Sequence, residues 1–224
     1  MSRKARPAAG GGRWVEVAPE RLGRWLSGFA GQHGEPAVAG RDDGLLLTAP
    51  DGSRAECQLP LGWPGDPGED VAALVAASRH DWHVGIVLAR RGAHAVGSVL
   101  GQRLLASKVD TRYVQGRTAA GGWSQQRFAR RRDNQTRESI GAAVEHAARV
   151  LDPVRSALAG LVTGGDRALL DAVLADRRLG WLAALPRVVL PDVPEPRHAT
   201  LVEAGERYRM VRIKVVDPEP TSES

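Results

Sequence analysis

The stretch WHVGIVLAR, residues 82–90, is apolar and β-branched through most of its length. It reads as a strand buried on both faces. RGAHAVGSVLG (91–101) then supplies a turn and a second strand, and RLLASKVDTRYV (103–114) a third in which polar residues interleave. A loop over 115–126 follows, and the pattern then changes to a long helix over about 124–151, closing before Pro153 because the residue before a proline disfavours helix. Beyond it, ALAGLVTGG (157–165) predicts a buried strand and glycine turn, and DRALLDAVLADRRLG a helix. PRVVLP predicts a further strand and YRMVRIKVV (208–216) a last, alternating one. The expected class is α/β (α+β): a mixed β-sheet flanked by helices.

Upstream, PERLGRWLSGFA (19–30) sets Leu22, Trp25, Leu26 and Phe29 at helical spacing behind Pro19. Short strands are expected near 36–39, 45–49 and 54–59, punctuated by Asp43-Gly44 and Asp51-Gly52. The Pro/Gly-rich connector LGWPGDPGED (61–70) suggests a domain boundary, with a helix near 68–79 opening the second segment. The expected organisation is a disordered tail over 1–12, a small α+β module over 13–66, a larger domain over 67–216 and a disordered acidic tail over 217–224.

Hydrophobic residues make up 42% of the 224 and charged residues 25%, as in an ordinary soluble domain. No run is long enough to span a bilayer, and the start MSRKARPAAGGG lacks the apolar core of a secretory signal. The single cysteine, Cys57, leaves no internal disulfide framework, which suits a cytoplasmic protein and, in the simplest reading, a monomer. The net charge of +5 is unevenly distributed. Nine basic residues between Arg103 and Arg137 face only Asp110 and Asp133, so that segment carries +7 and the remainder sums to −2. Concentrated positive charge is expected of a phosphate-facing surface.

The long helix has two chemically different halves. Ile140, Ala143, Val144, Ala147, Val150 and Leu151 form one apolar stripe for a core. Between 127 and 139 only Phe128 and Ala129 are apolar, while Arg127, Arg130, Arg131, Asn134 and Arg137 fall on one side. A solvated surface turn explains an isolated arginine run. Here the run adjoins TAAGGWSQQ, a glycine-rich loop carrying Trp123 without apolar company, and contact with RNA becomes the better reading.

Familiar catalytic patterns are missing. Neither a P-loop nor a dinucleotide fingerprint occurs. Gly122-Trp123-Ser124-Gln125-Gln126 begins like a nucleophile elbow but lacks the closing glycine, and Ser124 has no evident His and acid partners. The six histidines are scattered, and His80-Asp81-Trp82-His83 is better read as surface or core histidines than as a metal pair. Trp25, Trp63 and Trp181 read as packing residues. No metal and no cofactor is expected. The glutamines remain. An amide does not titrate and cannot be a general base, but it can orient a water against an already activated ester. The pair Gly121-Gly122 would let such a loop adopt unusual backbone angles and enter a narrow space.

GGWSQQRFARRR resembles the Gly-Gly-Gln loop of the eukaryotic and archaeal class-1 peptide release factors, whose loop is followed by an Arg-Phe-Ala-Arg helix start. Three preceding strands and ALAGLVTGGDRALLDAVL after the helix agree with the middle domain of that family, and the likeness covers roughly residues 82–205. Trp123 stands where those factors have their glutamine. Gly122-Trp123-Ser124-Gln125 is instead similar to the Gly-x-Ser-Gln arrangement of the Vms-like release factor (VLRF) family, in its actinobacterial branch. The resemblance implies a release-factor-like catalytic domain over 67–216 that hydrolyses peptidyl-tRNA on stalled large ribosomal subunits without reading a codon. It implies Gln125 as the water-positioning residue, with Gln126 as rival and Gly121, Gly122 and Ser124 shaping the loop. Arg117, Trp123, Arg127, Arg130, Arg131, Arg132 and Arg137 would contact ribosomal RNA and tRNA. A non-catalytic RNA-binding module of the same fold is the alternative.

Overall fold

The computed structural model describes residues 6–66, 68–111 and 124–218, with the side chains of 124–133 outside that description. The chain divides into two units, one formed by Met1–His80 with Arg209–Ser224 and the other by Asp81–Tyr208.

The first unit is one antiparallel sheet of six strands: β1 (Arg6–Pro7), β2 (Arg13–Val17), β3 (Ala37–Arg41), β4 (Gly44–Thr48), β5 (Arg54–Gln58) and β11 (Val211–Val216), in spatial order β1-β2-β11-β5-β4-β3. Period-two alternation sends Val211, Ile213 and Val215 to the same side as Val17, Leu45, Leu47, Ala55 and Cys57. Onto that side pack α1 (Pro19–His33), through Leu22, Leu26 and Phe29, and α2 (Val71–Ser78), through Leu74. Pro19 opens α1, and Asp70 caps α2 by accepting from the amide of Ala73 at 2.6 Å. Burial pushes the Cys57 thiol up to about 12, so it behaves as a small core residue.

This arrangement corrects three expectations. Helix 71–78 belongs with the first core, because Leu74 is fully buried there, so the boundary falls at His80 and not within 61–70. The last strand crosses back: β11 lies between β2 and β5 of the first sheet. The larger domain therefore ends at Tyr208, eight residues before its expected limit. Residues 6–7 are also paired, against 13–14, where a disordered tail over 1–12 was expected. Residues 1–5 of that tail, and 219–224 of the acidic one, lie outside the described residues.

In the second unit the sheet order is β10-β9-β6-β7-β8. Here β6 is His83–Arg90, β7 Ala93–Leu100, β8 Arg103–Thr111, β9 Gly160–Gly165 and β10 Arg187–Leu190. The β6–β7–β8 part is an antiparallel meander, while β6, β9 and β10 run parallel, so the sheet is mixed. The turn at Arg91-Gly92 uses the positive φ of Gly92, 79°, to keep the first hairpin tight. α3 (Ser124–Leu151) and α4 (Arg167–Leu174) cover one face, and α5 (His198–Arg207) the other, where Gly205 lies against Val99. The single helix expected after β9 is broken: Asp176 caps a second, 3-10 segment, Arg177–Ala184, by accepting from the amide of Arg178. At the end of α5 the Tyr208 hydroxyl donates to the carbonyls of Trp82 and Gly101, at 3.2 and 3.1 Å.

The seat of α3 is formed by its second half. Ala143, Val144, Ala147 and Leu151 are buried against β6 and β7. Gly85 of β6 makes room for them, since a Cβ there would stand 3.1 Å from a Leu151 methyl. A polar tie accompanies the apolar one. His94 of β7, 2% exposed, shares a hydrogen bond of 2.9 Å between its Nε2 and the Nδ1 of His146 on α3. One ring donates and the other accepts, so the pair requires complementary tautomers. Replacing His146 with Ala withdraws a partner from a buried imidazole. The expected cost is about 1–3 kcal/mol, read as a lower urea midpoint at unchanged m-value; an unchanged midpoint would show the tie to be dispensable.

On the same face, His83 Nε2 meets Ser98 Oγ at 2.7 Å. Burial holds this imidazole below its ordinary value of 6.5. The fold thus favours neutral His83, while the unfolded chain takes up the proton at higher pH. Its contribution to stability is complete above the unfolded value and is lost as pH falls through the lower folded one. Between pH about 7.5 and about 5 the urea midpoint of the wild type should fall more steeply than that of His83→Gln. Parallel pH profiles would contradict the assignment.

Candidate nucleic-acid interface and catalytic loop

Strand β8 leaves the sheet at Thr111 and α3 begins at Ser124. Arg117, Gly121, Gly122 and Trp123 fall between them, outside the described residues. Ser124, Gln125 and Gln126 form the first turn of α3, and Arg127, Arg130, Arg131 and Arg132 occupy its next turns. Their side chains are not described, but their helical setting is. Arg137, further along the same helix, is exposed. The observed bounds of α3 coincide with those read from the periodicity and from Pro153.

The helical backbone sets Arg127, Arg130, Arg131, Asn134 and Arg137 within an arc about 140° round the axis from the buried stripe. From Ile140, partly buried on the sheet, back to Ser124 the helix axis runs about 24 Å at 1.5 Å per residue. The candidate amides therefore stand at the far end of an element whose other end is fixed in a core. In the first helical turn the backbone amides have no intrahelical acceptors and carry the positive end of the helix dipole. This reinforces the positive field of the arginines.

One arrangement that sequence reasoning did not find invites comparison with a hydrolase. In the first unit His33, Asp51 and Ser53 converge: Asp51 Oδ2 lies 2.8 Å and Ser53 Oγ 2.9 Å from His33. Both contacts, however, fall on the same ring nitrogen, Nδ1, whereas a proton relay needs the acid and the hydroxyl on opposite nitrogens. Ser53 is moreover fully buried. The hydrogen bonds of His33 and of the Ser53 amide hold the Asp51 carboxyl below its ordinary value, so the cluster ties the end of α1 to the β4–β5 turn. His33 lies 18 and 20 residues from its two partners, a spacing without a sequence signature. Elsewhere Trp25 and Trp63 pack against the first core and Trp181 against the second, as expected. Among the described residues, no three His, Cys, Asp or Glu side chains gather as metal ligands, and no helix is long and apolar enough to cross a membrane.

Comparison with known proteins places this geometry. Residues 82–214, more than half the chain, match the family described as the actinobacteria/chloroflexi VLRF1 release factor. Among solved structures, the archaeal translation termination factor aRF1 aligns at 19% identity and a TM-score of 0.36, over 73% of this chain and 51% of that one. A structure described as an archaeal protein aligns at 17% identity and a TM-score of 0.33, over 73% of this chain and 52% of its own. The chain thus spans about half the length of these structures, and no curated protein matches it. With its strand meander, loop position and long basic helix inside the matched region, the chain belongs to the actinobacterial and chloroflexi VLRF1 release factor family.

Proposed function

We propose that this protein is a peptidyl-tRNA ester hydrolase that frees nascent chains from stalled large ribosomal subunits, in the cytoplasm and independently of any codon. The observation that carries the reading is the position of the Gln125-Gln126 pair. It opens a long arginine-rich helix directly behind Gly121-Gly122, in a chain of the VLRF1 release factor family. The chemistry asked of the protein is modest. Water adds to the ester carbonyl carbon, the bond to the ribose oxygen of the tRNA breaks, the peptide leaves as its acid and the tRNA recovers its hydroxyl. The Gln125 amide accepts a hydrogen bond from the water and holds it at the ester carbon. The Gly121-Gly122 backbone allows the approach, Ser124 shapes the loop, and Trp123 contacts RNA. Arg117, Arg127, Arg130, Arg131, Arg132 and Arg137 hold phosphates of ribosomal RNA and tRNA, fixing register rather than reading sequence. No cofactor is needed, because the ester is already activated.

The test is single-turnover peptide release from purified large-subunit complexes carrying peptidyl-tRNA, with co-sedimentation as a measure of binding. Gln125→Ala should bind as the wild type does and release at least about 100-fold more slowly, the usual cost of removing one positioned hydrogen-bonding group. Gln126→Ala should release within a few fold of wild type. If Gln126→Ala abolishes release and Gln125→Ala does not, the roles are exchanged. Wild-type binding without release would identify a non-catalytic module.

A further inference from the structure

The first unit has one covered and one open face. Within this unit, helices α1 and α2 both lie on the side of Val17, Leu45 and Ile213, and neither covers the other side. Register places its residues in cross-strand rows. Trp14 neighbours Arg6 on β1 and Lys214 on β11, and Lys214 neighbours Glu56. One row over, Arg212 stands between Glu16 and Gln58, with Arg41 in line beyond Gly44. Arg54 lies beside Thr48 in the next row. Five basic residues thus face two carboxylates, and Arg41 is paired with Glu56 at 3.0 Å. Arg6, Arg41, Arg54 and Arg212 are exposed. Trp14, an aromatic ring on the face, carries the Arg212 guanidinium 4.3 Å above its centroid.

We infer that this open face is a second RNA-binding surface, formed by residues other than those of α3, and that its ligand is single-stranded RNA. Three features of the face select that partner. Its excess of positive charge suits a polyanion. The arginines are spread over β1, β3, β5 and β11, so they match a chain of phosphates rather than one anion. Trp14 with Arg212 forms a flat, positively charged platform, and both planes stack on unpaired bases without regard to sequence. A lipid surface would require a contiguous apolar patch on the face, whereas the aliphatic residues there, half-buried Leu46 and Val216 and the small Ala37 and Ala39, stand among charged and polar neighbours. The inference does not depend on peptide release. A protein that binds RNA through this sheet would do so whether or not Gln125 positions a water.

The test uses the full-length chain and a fluorescein-labelled oligouridylate of about a dozen nucleotides, followed by anisotropy across a salt series. The variant Arg130→Glu/Arg131→Glu/Arg132→Glu provides a background in which α3 no longer attracts phosphate. In that background, residual binding should persist, and adding Arg54→Glu/Arg212→Glu should weaken it about tenfold or more. The log–log salt slope should become shallower by about 1.4, two phosphate contacts at roughly 0.7 each on a single strand. Residual binding that is absent, or unchanged by Arg54→Glu/Arg212→Glu, overturns the proposal; the latter result would leave the face to an acidic protein. Ultraviolet crosslinking of the wild type to 4-thiouridine RNA needs no variant. Crosslinked peptides should include residues 13–17 or 211–216, and crosslinks confined to 103–137 overturn the proposal independently of folding. Failure of the Gln125→Ala release experiment would leave both readouts unaffected.

Discussion

The second unit depends on the contact between one end of α3 and the face of β6 and β7. A helix of 28 residues is held there by about two and a half turns: Ala143, Val144, Ala147, Val150 and Leu151 bury their side chains, and Gly85 lets Leu151 approach the strand. Each large aliphatic side chain buried in this way contributes about 1.5–3 kcal/mol. Ala143 and Ala147 contribute less, but their small size lets the helix lie close. The His94–His146 hydrogen bond adds a directional contact, which apolar packing lacks, and so favours one rotation of the helix about its own axis. Once that rotation is set, the placement of every residue back to Ser124 follows from helical geometry.

The remainder of α3 is organised against its own stability. Arg127 and Arg131 are four apart, as near neighbours on one face of the helix, and a like-charged pair of that kind costs a few tenths of a kcal/mol. Arg130, Arg131 and Arg132 are consecutive, and the whole 103–137 segment carries +7 while the rest of the chain is slightly acidic. Nothing in the folding of the second unit asks for this. Half the helix is anchored by a core and half is loaded with repelling charge. In the proposed reading, that division suits an element whose charged half meets a polyanion.

These two halves were legible for different reasons. The bounds of α3 could be read because its signals are local: a 3.6-residue stripe over 140–151 and a proline two residues beyond the end. The strands at 83–90 and 93–100 are almost entirely buried, and runs of that kind announce themselves without alternation. What escaped is non-local. Nothing in VRIKVV says that its partners are RWVEV and RAECQ, roughly 200 and 160 residues earlier, so the strand was assigned to the wrong sheet. RWVEV, the first residues of the expected 13–66 module, is a strand that the sequence reading does not name, although Val15 and Val17 alternate with Trp14 and Glu16. Helix α5 was missed because its buried positions, Thr200, Leu201, Ala204 and Gly205, include only one large apolar residue. His94 and His146 are 52 residues apart and look unrelated until the helix lies on the sheet. At the candidate site, the helical setting of Gln125 and of the arginines from 127 onward was legible; residues 112–123 lie outside the described residues.

An amide that only positions a water places a demand on its support that a nucleophile does not. It forms no bond and moves no proton, so its whole effect is geometric, and geometry survives only where the carrier is stiff. Gln125 meets that demand on one side and relaxes it on the other. Towards the C-terminus it continues without interruption into a helix whose far end is locked against β6 and β7. Towards the N-terminus it is three residues from Gly122, and glycine is the residue type with the widest choice of backbone angles. In the proposed reading, glycines let the loop conform to a ribosomal cavity, while the helix transmits a fixed direction to the amide. A shift of the amide by one residue, from Gln125 to Gln126, turns its direction by about 100° round the helix axis. That turn separates the two candidates physically, although the sequence sets them side by side.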